Sequence, residues 1–98
     1  MPQHDCSEKL RLLANATRME VLERLLADDP LHVWEINEGL DVEPTLLSHH
    51  LRVLREAGLI EAERDGKALL YRLAPGVRPA KGKGIDLECC VLNFPEER

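Results

Sequence analysis

Between Glu43 and Ile60 the positions Leu47, His50, Leu51, Leu54 and Gly58 recur at three- and four-residue steps. That is the period of a helix buried along one side. Pro44 suits its first turn, where a missing N–H costs nothing, and Gly58 suits a left-handed cap at its end. The opposite face carries Thr45, His49, Arg52 and Glu56, with Ser48 and Arg55 on its flank. Taken alone, such a stripe describes a solvated amphipathic helix. A polar front of hydroxyl, imidazole and guanidinium groups is also what enters a DNA major groove. The flanking segments decide between the two.

Upstream, Ser7 is placed to cap a first helix through about Leu13, with Leu10, Leu12 and Leu13 as its apolar residues. Asn15 is placed to cap a second, whose stripe is Met19, Leu22, Leu25 and Leu26, and Pro30 follows its end. Leu31-His32-Val33 reads as extended or transitional. A third helix is expected from about Trp34 to Leu40, carrying Trp34, Ile36 and Leu40, and a short turn from Leu40 to Glu43 gives helix-turn-helix spacing. Downstream, Asp65-Gly66 sits between two partly alternating runs, Leu59 to Arg64 and Lys67 to Leu73, a strong hairpin signal. The order predicts a mainly α fold with a small β wing, a winged helix-turn-helix. Arg64 and Lys67 flank the wing tip, where they either bind phosphate or serve as solubilising charges.

A net charge of −5 over 98 residues argues against nucleic acid only when the chain is averaged. Residues 1–47 hold 4 basic and 10 acidic side chains, net −6; residues 48–84 hold 8 and 4, net +4; residues 85–98 hold 1 and 4, net −3. The positive charge therefore coincides with the proposed reading helix, the wing and the following linker. An acidic remainder predicts modest, salt-sensitive affinity. With 44% apolar content the length fits one globular unit, and its modest core favours sharing apolar surface in a dimer. No apolar run opens the chain or approaches membrane-spanning length, so a cytoplasmic location is expected.

Three runs then carry a specific likeness: Leu13-Ala14-Asn15-Ala16-Thr17-Arg18; Ser48-x-His50-Leu51-x-x-Leu54-x-x-Ala57-Gly58-Leu59-Ile60; and Arg64-x-Gly66-x-x-x-x-Tyr71. Over roughly residues 8–74 the chain resembles the ArsR/SmtB-type repressors. The resemblance implies a homodimer on a palindromic operator, released by a metal ion, a metalloid or thiol modification. It implies DNA contacts from Thr45, Ser48, His49 and Arg52 in the helix and from Arg64 and Lys67 in the wing. Family members often carry a Cys-x-Cys pair at the start of the third helix; those positions fall here on His32 and Trp34. His32 is expected to be a partly exposed or hydrogen-bonded histidine, not a ligand. The Asp/His set that other members carry on a long C-terminal helix is absent too.

Residues 1–74 are thus expected to form the winged helix domain, and residues 75–98 a linker and extended tail in place of the last helix. The linker, Ala74 to Gly84, is rich in proline and glycine. In the tail Ile85, Leu87, Cys89 and Val91 alternate as one strand face, which needs a partner edge: the wing, or the tail of another subunit.

Cys89 and Cys90 are adjacent, with α-carbons about 3.8 Å apart, too close for an easy bond to each other. With only Cys6 besides, no structural disulfide framework is expected. Vicinal thiols suit soft ions such as arsenite, which accepts three sulfurs. Several family members resemble this in using adjacent cysteines plus a third from elsewhere, and Cys6 is the candidate third. Adding His4 would make a four-coordinate set for a zinc-class ion. A regular strand, however, points Cys89 and Cys90 to opposite faces, so either the backbone kinks at residues 88–90 or only one thiol faces a site. The alternatives are a packed Cys89 with Cys90 incidental, redox or persulfide-type sensing through an intersubunit bond of Cys90 or Cys6, and a winged-helix interaction module without a ligand. No Cys-x-x-Cys, phosphate loop or acid–base constellation accompanies the thiols, so no enzyme is expected.

Overall fold

In the computed structural model, which describes residues 5–95, the chain begins with a capped helix. Asp5 Oδ1 accepts from the Glu8 amide at 2.9 Å, and helix α1 runs Cys6–Leu13. Ser7, expected as the cap, lies inside the first turn and gives its hydroxyl to Asp5 at 3.1 Å. A carboxylate at the cap satisfies the free amide and also meets the positive helix end. Asn15 caps helix α2, Ala16–Asp28, accepting from the Arg18 amide at 3.0 Å. This helix buries Val21, Leu22 and Leu25, with Met19 and Leu26 flanking them.

Strand β1, Leu31–His32, leads into α3, Val33–Ile36, which is a single turn, not the helix to Leu40 that the pattern predicts. Asn37 is the reason. Its side chain accepts from the Val42 amide and donates to the Val42 carbonyl, both at 2.9 Å, offering the backbone a closed turn in place of further helix. Trp34, one of the apolar residues of that predicted helix, is 58% exposed. Helix α4, Pro44–Glu56, has Glu43 as its cap and buries Leu47, His50, Leu51 and Leu54, the expected stripe. It ends in a Schellman closure: the Gly58 amide reaches the Arg55 carbonyl, and the Leu59 amide the Leu54 carbonyl. Gly58 takes φ +79°, as that closure demands.

Strands β2, Ile60–Asp65, and β3, Ala68–Leu73, form the wing, and β1 joins its other side to give the antiparallel order β1-β3-β2. Asp65 pairs with Ala68, so the two-residue loop is Gly66-Lys67, with Gly66 at φ +64°. Glycine at the first loop position suits the tight hairpin turns that match strand twist.

Beyond the wing the tail differs from the single strand expected. Strand β4, Gly84–Asp86, turns back on β5, Val91–Asn93, so the tail pairs with itself. The alternation therefore stops at the turn: Ile85 and Leu87 are buried, whereas Cys89 and Val91 are exposed. Ile85, Leu87, Phe94 and the linker residue Val77 belong to the same buried cluster as α2 and α4. Arg78 anchors the linker, donating to the Leu26 carbonyl at 2.9 Å and to Asp29 at 2.6 Å. The linker and tail thus share one core with the helices and the wing. Among the described residues no helix follows α4, and no helix is long and apolar enough to cross a membrane.

Gly84 makes the tail hairpin possible. A methyl group there would overlap the backbone carbonyl of Leu92 on β5. Gly84→Ala is expected to cost about 1–3 kcal/mol by forcing the strands apart. Amide exchange should rise across residues 84–93 while α2 and α4 stay protected; unchanged protection in the tail would refute the pairing.

Candidate nucleic-acid interface and thiol cluster

The spacing of Thr45, Ser48, His49 and Arg52 along α4 puts them on the side away from its buried stripe, and all four are exposed. Arg64, at the end of β2, and Lys67, in the wing turn, are exposed as well. None of the Thr45, Ser48, Arg52, Arg64 or Lys67 side chains makes a hydrogen bond or ion pair with another described residue. Several other cations are already committed. Arg72 pairs with Glu63, Arg78 with Asp29, and Arg24 donates to the Glu35 and Glu38 carbonyls. Arg52, Arg64 and Lys67 thus present charge without an ion-pair partner among the described residues, which leaves them available for contact with a polyanion.

Beneath that face lies His50, 6% exposed. Its Nδ1 accepts from Arg18 Nε at 3.0 Å, and Arg18 Nη1 reaches the Leu12 carbonyl at the end of α1 at 3.2 Å. Burial first, then the Arg18 and His49 charges, push the His50 pKa down, so the ring stays neutral with its proton on Nε2. Arg18 therefore ties α1, the start of α2 and the middle of α4 together. The sequence signal was visible in the Thr17-Arg18 and Ser48-x-His50 runs, but only the fold shows that they meet.

His32 is hydrogen-bonded, as expected, with Glu35 Oε1 3.1 Å from Nδ1 and Asp65 Oδ2 2.9 Å from Nε2. Its ring stacks on Trp34, centroids 4.2 Å apart and planes within 6°. No pattern along the chain indicated the Asp65 contact.

The three cysteines come together. Cys6 opens α1, and Cys89 and Cys90 lie in the turn between β4 and β5. Their sulfurs all fall within 4.8 Å of one another. Cys6 and Cys89 are bonded, with α-carbons 5.9 Å apart, and Cys90 Sγ lies 3.9 Å from Cys6 Sγ. This overturns the expectation of no structural disulfide. Adjacency disfavours a Cys89–Cys90 bond, but the fold brings Cys6, 83 residues away, against the pair. It also answers the objection from strand geometry. Glu88 takes φ +75°, and the Leu87 amide bonds to the Cys90 carbonyl at 2.8 Å, so a tight turn breaks the alternation and turns both cysteines to one side. Cys89 is exposed, whereas half-buried Cys90 packs on the core. His4 lies outside the described residues.

Comparison with known proteins agrees with the helix-turn-helix fold. A helix-turn-helix domain family matches residues 13–63. The chain is 38% identical over 64 residues to the transcriptional regulator NmtR of Mycobacterium tuberculosis, covering 65% of this chain and 52% of that one. It is 30% identical over 87 residues to the cadmium resistance transcriptional regulatory protein CadC of Listeria innocua, covering 89% and 68%. In structure it is similar to a homodimeric winged helix-turn-helix DNA-binding domain from Mycobacterium bovis, described as a possible ArsR-family regulator, with TM-score 0.60 and 33% identity, covering 65% and 58%. The chain spans about half the length of NmtR. Its fold, its recognition-helix motif and these likenesses together establish that the chain belongs to the ArsR/SmtB-type winged helix-turn-helix transcriptional regulators.

Proposed function

We propose that this chain is a dimeric repressor that binds a palindromic operator and is released by a thiol-binding inducer, arsenite or a related soft metal ion. Thr45, Ser48, His49 and Arg52 read the major groove, and Arg64 and Lys67 hold phosphates beside it. The uncommitted cations on α4 and the wing support that half of the reading. Homodimerisation of the mycobacterial structure supports the two-fold arrangement.

The observation that carries the inducer half is the gathering of three sulfurs within 4.8 Å. Thiolates are the donors that select soft ions, and a cadmium resistance regulator stands among the relatives. In the cytoplasm, where thiols are kept reduced, Cys6, Cys89 and Cys90 would hold the ion. Because Cys6 opens α1 and the other two close the tail, ligation changes how those segments sit. Two recognition helices must match one turn of DNA, so a small change in their relative placement lowers affinity.

The test is fluorescence anisotropy of the reduced protein on a labelled duplex from its own promoter, titrated with arsenite. Arsenite is expected to release the wild type. Cys6→Ser, Cys89→Ser and Cys90→Ser should each weaken the response about tenfold or more, since even supporting residues around a bound metal contribute 10- to 100-fold. A reduced wild type that arsenite leaves bound refutes the metalloid reading. The Cys6–Cys89 bond favours a second reading, in which oxidation or persulfide chemistry at these thiols is the signal; release by a mild thiol oxidant without arsenite would select it. Indifference to both leaves a winged-helix interaction module without a ligand.

A further inference from the structure

A neutral imidazole has one N–H to give, and carboxylates only accept. His32 nonetheless has a carboxylate oxygen against each ring nitrogen, Glu35 at 3.1 Å and Asp65 at 2.9 Å. Both contacts are hydrogen bonds only when both nitrogens carry protons. The ring has little freedom to avoid this. Glu35 Oε1 also accepts from the His32 backbone amide at 2.8 Å, so it cannot swing away without uncapping α3. The opposite constraint comes from Trp34, stacked flat on the ring.

The two carboxylates belong to different parts of the DNA-reading apparatus. Glu35 sits in α3, the first helix of the helix-turn-helix, and Asp65 ends β2 at the wing tip, between Arg64 and the Gly66-Lys67 turn. We infer that His32 is the positioning residue of the wing: as an imidazolium it ties the wing tip to α3, and on losing a proton it can serve only one of the two carboxylates. Released, Asp65 leaves an unpaired negative charge beside Arg64 and Lys67, so DNA binding weakens as pH rises. That last step rests on the reading of the wing as a phosphate contact; the tie itself does not.

The groups facing His32 are Asp65 from β2 and Glu35 from α3, with Arg24 of α2 behind Glu35; its β3 register partner is the uncharged Leu70. The Asp65 hydrogen bond foremost, then Glu35, raise the His32 pKa above its ordinary value, and desolvation opposes them. A raised folded pKa means the tie is complete below the ordinary histidine value of about 6.5 and is lost as pH rises through the higher folded value.

Long-range 1H–15N correlation spectra of the His32 ring, followed with pH alongside the Gly66 and Lys67 backbone amides, test the tie. Both ring nitrogens are expected to be protonated at pH 6.5, with a titration midpoint above that of free histidine. The two wing amides should follow the same midpoint. Asp65→Asn should lower the midpoint and uncouple the wing amides from it. A single neutral tautomer at pH 6.5, or wing amides indifferent to the His32 titration, overturns the inference.

In a His49→Gln background, which removes the exposed imidazole of α4 and should itself lower duplex affinity at every pH, the remaining affinity should fall about two- to fivefold across the His32 titration, the size expected of a partly exposed ion pair. Asp65→Asn should flatten that fall, and a fall that survives Asp65→Asn counts against the tie. If the wild type binds no duplex at any pH while the wing amides still follow His32, the DNA-binding reading fails and the positioning role stands.

Discussion

Replacing Leu54 by alanine is expected to destabilise the protein by about 2–5 kcal/mol, the usual cost of truncating a buried leucine. Leu54 has no exposed surface and lies on α4 facing the shared core, in line with Leu47 and Leu51. The loss combines the transfer energy of the missing methyl groups with the cavity they leave in a close-packed interior. Single domains hold only about 5–15 kcal/mol in all, so the variant should unfold at distinctly lower urea concentration with an unchanged slope. Leu46, on the same helix but 48% exposed, supplies the control. Leu46→Ala should change stability by no more than about 0.5 kcal/mol. Equal effects at the two positions would show that α4 does not present the face described. The functional consequence follows directly, because every side chain proposed to read DNA from α4 depends on Leu54 and its neighbours for its direction.

The second large effect is expected at Arg18. Its guanidinium holds the Leu12 carbonyl at 3.2 Å and His50 Nδ1 at 3.0 Å, and its own amide is capped by Asn15 at 3.0 Å. Arg18→Met keeps the apolar stem and removes the donors, leaving the His50 ring buried with an unanswered acceptor. Losing a partner at such a site costs about 1–3 kcal/mol. The pairwise part is separable by a double-mutant cycle with His50→Leu, in which the second substitution should recover about 1 kcal/mol or more because it removes the stranded acceptor. Strict additivity would mean that the contact contributes nothing. Because Arg18 joins the end of α1 to the middle of α4, the same variant should also loosen the packing of those two helices.

Much of this architecture was legible along the chain. The stripe of α4, the Asn15 cap, the Gly58 closure and the wing at Gly66 all arise from residues within a few positions of one another. So does the exposure of Thr45, Ser48, His49 and Arg52, since on a helix the face opposite the buried one is set by periodicity alone. The expectation failed where a local competitor or a distant partner intervened. Asn37 bonds twice to Val42 and ends α3 after one turn. Trp34 lies flat on His32 with most of its surface exposed, a ring contact that helical period does not specify. Alternation in the tail predicts one long strand, but the left-handed Glu88 turns it into a hairpin and sends Cys89 and Val91 outward.

The recognition helix, its caps, the wing and the separation of charge were therefore determined by the sequence itself, because helical period, capping and hairpin turns are forces of short range. Only the tertiary structure decided which distant groups would meet. Cys6 met Cys89 and Cys90 across 83 residues, and His32 met Asp65 across 33. Those encounters depend on how the core closes over Ile85 and Leu87 and on where β1 joins the wing, and no local pattern encodes either. Both candidate control points of this protein, the thiol cluster and the histidine at the wing, belong to that second kind.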